Sequence, residues 1–317
     1  MKRAFVFPGQ GSQVVGMGNA LAAAYASARR IFAEVDDALS QHLSRLMFEG
    51  PESDLTLTEN AQPALMATSL AAIRVLESEE GLNLARDVAF VAGHSLGEYS
   101  ALAAARAFSV GDTARLLKLR GQAMQQAVPV GMGAMAALLG LDIKRASAVA
   151  AGAAHREVGP DEVCAVANDN APGQVVVSGH RGAVARAITI ARTHSARAIT
   201  LPVSAPFHSP LMAPAAEVME EALGRVTLCP PVVPLVANVS ATATSDPSRI
   251  RHGLVEQVTA MVRWRESILF LKAAGIEEIV EIGAGRVLTG LVKRIDSEIA
   301  ARSVATPADI ETLMKEL

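Results

Sequence analysis

Short apolar runs bounded by glycine and proline alternate along the chain with longer stretches whose apolar residues recur every three or four positions. This predicts strands interleaved with helices. Ala4-Phe5-Val6-Phe7 reads as a buried first strand that stops at Pro8-Gly9-Gln10-Gly11-Ser12-Gln13, a loop whose glycines permit close backbone approach. Helical patterns cover residues 20–39 and 61–80, the second introduced by Asn60 with Pro63 in its first turn. A strand through Val88-Ala89-Phe90-Val91-Ala92 follows, then helices over residues 97–107 and 111–128. From Gly131 the elements shorten: a strand over 134–141, a helix over 143–154, strands over 163–168 and 174–178 joined by Asn-Asp-Asn-Ala-Pro-Gly, a helix over 181–194 and an extended segment over 198–203. The order β-α-β-β-α-β is that of a ferredoxin-like unit. Residues 129–201, bounded by Pro129 and Pro202, therefore read as a small subdomain inserted into a large α/β domain made of residues 1–128 and 202–317. The large domain resumes with a strand over 233–238, a helix over 264–274, a strand over 278–282 and a last helix from Val287. Strands separated by helices predict a mostly parallel, doubly wound sheet with active residues at the carboxyl ends of its strands.

Composition narrows the classes of function. Half of the 317 residues are apolar, enough for a large core and against disorder. The net charge of -3 is spread through the chain, which points away from nucleic acid and from a polybasic membrane anchor. Cys164 and Cys229 stand far apart in no metal-ligand spacing, so neither a disulfide framework nor a metal site is expected, and a reducing cytoplasm fits. The apolar stretch near Met1 is too short for a signal peptide, and no uninterrupted apolar run reaches the ~18 residues of a membrane span. The expectation is a cytoplasmic protein.

Gly93-His94-Ser95-Leu96-Gly97 lies between the strand ending at Ala92 and the helical stretch from Glu98. A G-x-S-x-G turn in that setting forms a nucleophile elbow that pushes the serine hydroxyl out over the sheet edge. Ser95 is the candidate nucleophile, with the Leu96 N–H and the positive helix end near the developing oxyanion. A serine that merely caps the helix is the alternative reading. A serine hydroxyl also needs a base within hydrogen-bond reach. His42, His155, His194 and His252 lie in polar or helical surroundings and read as surface residues. His94 adjoins the nucleophile, but the turn should aim it elsewhere; His180 ends a strand of the insertion. His208 follows Pro206-Phe207 and precedes Pro210, in a loop where the chain re-enters the large domain, a position suited to a catalytic group. On the helix over 111–128, Arg120 shares a face with Leu116 and Met124, an otherwise apolar stripe. Either its stem reaches solvent, or it pairs with a structural carboxylate, or it awaits a ligand.

Together, Phe7-Pro8-Gly9-Gln10-Gly11-Ser12-Gln13, Gly93-His94-Ser95-Leu96-Gly97-Glu98, Leu119-Arg120-Gly121 with Met124, Gly133-Ala134-Met135, Asn170-Ala171-Pro172-Gly173-Gln174, Phe207-His208-Ser209 and Glu281-Ile282-Gly283 resemble the malonyl-CoA:acyl carrier protein transacylase family nearly end to end. The resemblance implies a hydrolase-like core with a ferredoxin-like insertion and an active site in the cleft between them. It implies that Ser95 is acylated, that His208 is the base held by the backbone carbonyl of Gln257, and that the N–H groups of Gln10 and Leu96 form the oxyanion hole. By the same resemblance Arg120 binds the malonyl carboxylate, a bidentate geometry that lysine cannot reproduce, and Phe207 disfavours branched acyl units. Met124 and Asn170 are further candidates for substrate contact, Asn170 and Asn168 toward the pantetheine arm unless they only make the turn. The implied partners are malonyl-CoA and acyl carrier protein, with no metal and no bound cofactor, in service of fatty acid synthesis.

Gln62 could lie near the site or only start a helix. Gly283-Ala284-Gly285 lacks the Gly-Lys-Ser/Thr of a phosphate loop and reads as strand-to-helix packing. A serine esterase or thioesterase, or a non-catalytic carrier-binding subunit, would share parts of this pattern. Arg115 with Lys118, Arg263 with Arg265, and Lys293 with Arg294 are basic pairs that could face an acidic carrier or simply solvent.

Overall fold

The structure, a computed structural model, describes residues 1–156, 159–203 and 205–316. Its strands are β1 (Arg3–Phe7), β2 (Phe90–Gly93), β3 (Gly133–Leu139), β4 (Cys164–Ala171), β5 (Gln174–His180), β6 (Arg197–Thr200), β7 (Leu235–Val236), β8 (Ala243–Thr244), β9 (Glu278–Ile282) and β10 (Ala300–Val304). One sheet has the order β10-β9-β1-β2-β7-β8, parallel except for β8. The other has the order β4-β5-β3-β6 and is antiparallel throughout.

Alternation along the strands assigns side chains to faces. In central β1, Phe5 and Phe7 enter the core beneath the helix Thr58–Ser78, while Ala4 and Val6 enter the opposite core with Trp264 and Leu288. Burial on both faces is the condition a parallel sheet requires. In β3, Ala136 and Leu138 pack against the helices Ile143–Ala154 and Arg181–Thr193, whereas Met135 and Ala137 turn toward the large core. The small sheet thus has its own helical layer on one face and lends the other to the body of the protein.

The expected elements are present with shifts that have local causes. The helical pattern over 20–39 is two helices, Asn19–Ala24 and Ala26–Leu39, because Tyr25 is extended (φ -124°, ψ 129°) between them. The helix carrying Pro63 begins at Thr58, so the proline lies inside it and removes a single backbone donor. The Asn-Asp-Asn segment expected as a loop belongs to β4, and only Pro172-Gly173 turns. Bulges at Val166/Asn168 and Asp169/Ala171 let it leave the ladder and meet the larger part of the protein. There Asp169 N–H donates to the Val262 carbonyl (3.0 Å) and Val262 N–H to that of Ala167 (2.9 Å), while buried Asp169 receives Arg265 Nη2 at 2.8 Å. The helix from Val287 is not the last element, since β10 and the helix Pro307–Met314 follow. At the start of Val287–Ile295 the buried Glu281 carboxylate accepts the Leu288 and Thr289 N–H groups at 3.1 and 2.8 Å. Gly283 serves close packing, for a Cβ there would lie 2.2 Å from Ser69 Oγ. Among the described residues no helix is long and apolar enough to cross a membrane.

The helix Val110–Gln126 lies so close to Thr58–Ser78 that a Cβ on Gly121 would sit 2.5 Å from Glu59 Cα and 2.7 Å from the Thr58 carbonyl oxygen. Gly121→Ala is expected to destabilise the protein by roughly 1–3 kcal/mol, even after the ~1 kcal/mol that alanine gains in helix propensity. Urea denaturation reads this directly, and an unchanged midpoint would show that the two helices part without cost.

Candidate active site

The elbow is built from steric necessity. Between β2 and the helix Gly97–Ala104, a Cβ on Gly93 would lie 1.9 Å from the Gly97 carbonyl group, and one on Gly97 2.2 Å from the Phe7 carbonyl oxygen. Only glycine permits both approaches. Ser95 is left in the left-handed region at φ 54°, a conformation costing about 1–3 kcal/mol that surrounding contacts must hold. They do so from three directions. Asn238 Oδ1 accepts the Ser95 N–H at 2.8 Å, Asn238 Nδ2 donates to the Gly93 carbonyl at 2.6 Å, and Gln257 Nε2 donates to the Ser95 carbonyl at 3.0 Å.

Ser95 Oγ lies 2.8 Å from His208 Nε2, and His208 Nδ1 lies 2.8 Å from the Gln257 backbone oxygen. A carbonyl only accepts, so Nδ1 carries the ring proton and Nε2 offers its lone pair to the serine hydroxyl. Burial, reinforced by the Arg120 charge, pushes the His208 pKa down to about 3, against the opposing pull of the Gln257 carbonyl. At neutral pH the imidazole is an unprotonated base.

Arg120 is buried at 1 % exposure on the helix Val110–Gln126. Its Nη1 donates to Gln62 Oε1 at 2.8 Å, and Nη2 donates to Gln257 Oε1 at 2.8 Å and to Ser95 Oγ at 3.1 Å. Its Nε is buried without an acceptor, and its guanidinium carbon lies 5.7 Å from the Tyr99 ring centre. Among the described residues no carboxylate comes within 4.0 Å of it. The side chain neither reaches solvent nor makes a structural ion pair, and it borders a cavity of about 250 Å³.

Ser95, His208, Arg120, Met124, Phe207, Gln10 and Leu96 all line that cavity, with Met135 and Leu201 contributed from the side of the small sheet. Neither the Gln10 nor the Leu96 backbone N–H donates to another group among the described residues, so both remain for a ligand oxygen. Asn170 is placed differently from its expected substrate contact. It is not among the residues that line the cavity, and its Oδ1 lies 2.8 Å from Nε2 of His94, which does line it, as does Asn168. His94 leans on Trp264, ring centres 5.6 Å apart, a packing role in line with its position in the turn. Gln62, open between two readings in the sequence, is the acceptor for Arg120.

Glu98 and Asn238 were not singled out from sequence. A carboxylate in the otherwise apolar stretch Tyr99-Ser100-Ala101-Leu102 was a legible signal for Glu98; Asn238 carried none. Among the basic pairs, Arg115 binds Asp112, Lys118 binds Glu59, Arg263 binds Glu266 and Arg265 binds Asp169, so these charges are locally balanced. No group of three or more His, Cys, Asp and Glu side chains suited to a metal occurs among the described residues.

A sequence family described as the acyl transferase domain matches residues 4–309. The malonyl CoA-acyl carrier protein transacylase of Bacillus subtilis (strain 168) is 44% identical over 317 residues, 100% of this chain and 97% of its own length. The crystal structure of an acyl-carrier-protein-S-malonyltransferase from Bartonella henselae is 55% identical with a TM-score of 0.96, covering 100% of this chain and 99% of that one. A structure of a type II PKS acyl-carrier protein in complex with its malonyl-transacylase matches at 40% identity and a TM-score of 0.95, over 100% of both chains.

The buried neutral histidine has a consequence for stability. Between about pH 6.5 and about pH 3 the unfolded chain binds a proton at His208 that the folded protein refuses, so this group withdraws stability as pH falls through that window. His208→Gln should therefore show a shallower decline of melting temperature than the unaltered protein between pH 6.5 and pH 5. Parallel declines would contradict a neutral, buried imidazole.

Proposed function

Because the chain belongs to the acyl transferase family, among its malonyl-CoA:acyl carrier protein transacylases, we propose that Ser95 and His208 carry the malonyl group between the two thiols in two half-reactions. The activity is that of an S-malonyltransferase, with malonyl-CoA and acyl carrier protein as substrates and no cofactor. In the first half-reaction His208 Nε2 takes the Ser95 proton as Oγ attacks the thioester carbonyl. The oxyanion lies against the Leu96 and Gln10 N–H groups, each such donor contributing about 3 kcal/mol to the transition state. Collapse breaks the C–S bond, and His208 returns its proton to the departing CoA sulfur. In the second half-reaction the carrier's phosphopantetheine thiol gives its proton to His208 and attacks the ester, and Ser95 leaves as the hydroxyl.

Specificity follows from the free-state bonding of Arg120. One Nη1 hydrogen is unused, while both Nη2 hydrogens are engaged by Gln257 and Ser95. A malonyl carboxylate binding end-on takes the free Nη1 hydrogen and displaces Ser95 Oγ from Nη2, so it frees the nucleophile as it docks. An acetyl group leaves the cation without an anion. The observation that carries this reading is a buried guanidinium with no carboxylate partner, one hydrogen bond from the serine of a Ser-His pair.

Phe207 and Met124 would complete the acyl pocket, and Asn168 a wall for the pantetheine arm. The separate four-stranded sheet with its own core supports assigning residues 129–201 to a small subdomain and 1–128 with 202–317 to the large one. The same reading places the protein in the cytoplasm, supplying malonyl units for fatty acid synthesis.

Incubation with radiolabelled malonyl-CoA should leave one covalent label per chain, and Ser95→Ala none; label on the alanine variant would exclude the serine ester. Arg120→Ala should lose roughly a hundredfold or more in kcat/KM for malonyl-CoA with a much smaller loss for acetyl-CoA, and Arg120→Lys should not restore the difference. Equal losses for the two thioesters would remove the clamp role.

A further inference from the structure

Glu98 lies one amide away from the reacting groups. It is buried at 2 % exposure in the first turn of the helix Gly97–Ala104. Its Oε2 accepts Gln257 Nε2 at 2.6 Å and Asn238 N–H at 3.3 Å, and no lysine or arginine among the described residues forms an ion pair with it. The Gln257 side chain is a junction. Its Nε2 donates to Glu98 and to the Ser95 carbonyl, and its Oε1 accepts from Arg120. Gln257 is fully buried, so neither end of its amide can be satisfied by bulk water.

We propose that Glu98 is a positioning residue that fixes which end of the Gln257 amide faces Arg120, and thereby sets the preference of the site for a carboxylated acyl group. The inference rests on the clamp role of Arg120 proposed above. An ionised carboxylate only accepts, so it demands the NH2 end of the amide and leaves the carbonyl end for the guanidinium, which only donates. With a neutral group at position 98 that can also donate, the amide loses the shortest of the contacts that hold its NH2 end, and only the Ser95 carbonyl and Arg120 still oppose a turn. A turned amide would point its NH2 group at the guanidinium, donor against donor, and Arg120 would lose one of the two acceptors that aim Nη2. The Ser95–His208 pair is less affected, because His208 is held by the Gln257 backbone carbonyl and Ser95, though it loses the Gln257 amide donor, keeps the Asn238 contact to its N–H. Losing the orientation should therefore weaken capture of the carboxylate more than it weakens acyl transfer itself.

The junction also responds to pH. Burial raises the Glu98 pKa to about 7, with Gln257, Asn238 and the Arg120 charge holding it from going higher. The charged and titratable groups facing it are Arg120 from the helix Val110–Gln126 and Tyr99 on its own helix, whose hydroxyl burial raises to about 12. Arg120 stays protonated and the malonyl carboxylate stays ionised between about pH 6 and pH 8. In that interval Glu98 is the one member of this set that changes charge, and it gains a proton as pH falls.

The test measures serine acylation by malonyl-CoA and by acetyl-CoA in parallel, across about pH 6 to pH 8.5, for the full chain and for Glu98→Gln. The unaltered protein should lose malonyl preference as pH falls through about 7. Glu98→Gln should show a roughly tenfold or larger fall in kcat/KM for malonyl-CoA, the scale of one hydrogen bond to a charged group, chiefly through KM, with little change for acetyl-CoA and no pH dependence of the ratio. A ratio that is level in the unaltered protein and kept or increased in the variant overturns the Glu98 assignment while leaving the clamp intact. Absence of any malonyl preference in the unaltered protein overturns the clamp, and the Glu98 role with it. Should Glu98→Gln not fold, the pH profile of the unaltered protein decides alone.

Discussion

Everything at the site depends on how closely two pieces of backbone meet. Gly97 lies against the Phe7 carbonyl and Gly9 against that of His94, where a Cβ would stand 2.2 and 2.8 Å away, respectively. The carboxyl ends of β1 and β2 are thereby pressed together. One consequence is that the Leu96 and Gln10 N–H groups, nearly ninety residues apart in the chain, open on the same cavity. Another is that Ser95 has no room to relax from its left-handed backbone, so the hydroxyl is presented by geometry rather than by its own side-chain contacts.

Around that junction the protein distributes charge sparingly. The base is oriented by a neutral carbonyl, the guanidinium by two neutral amides, and the nearest buried carboxylate is kept behind Gln257. Arg120 therefore remains the strongest unmatched field in the cavity, in surroundings where burial strengthens every Coulombic interaction. A direct carboxylate partner would have stabilised the folded state and spent the same cation that an anionic acyl group can use.

Much of this was legible in the sequence, for reasons that also mark where legibility ended. A strand such as Ala4-Phe5-Val6-Phe7 is buried on both faces and announces itself by continuous apolarity. The elbow and the Arg120 stripe were visible because glycine spacing and a lone cation on an apolar face have few other uses. What escaped was encoded in pairs remote along the chain. Asn170 read as a substrate contact or, in its Asn-Pro-Gly surroundings, a turn residue, yet in the structure its partner is His94, 76 positions away. The helix Pro307–Met314 did carry a local signal, Thr306 and Asp309 forming a capping box around Pro307. The strand before it, Ala300–Val304, is half-buried at a sheet edge and has too little apolar contrast to be seen. Gln62 and Gln257 expose the deeper limit, since an amide means nothing until its neighbours choose which end donates.

The imidazole held by a carbonyl also bears on which nucleophile can empty the ester. Burial leaves this base weak, with a pKa of about 3, so the proton of any attacker is hard to place. A thiol, at about 8.5, gives up its proton far more readily than water does. The acidity of the attacker, beside its fit, then favours sulfur over solvent at the acylated serine.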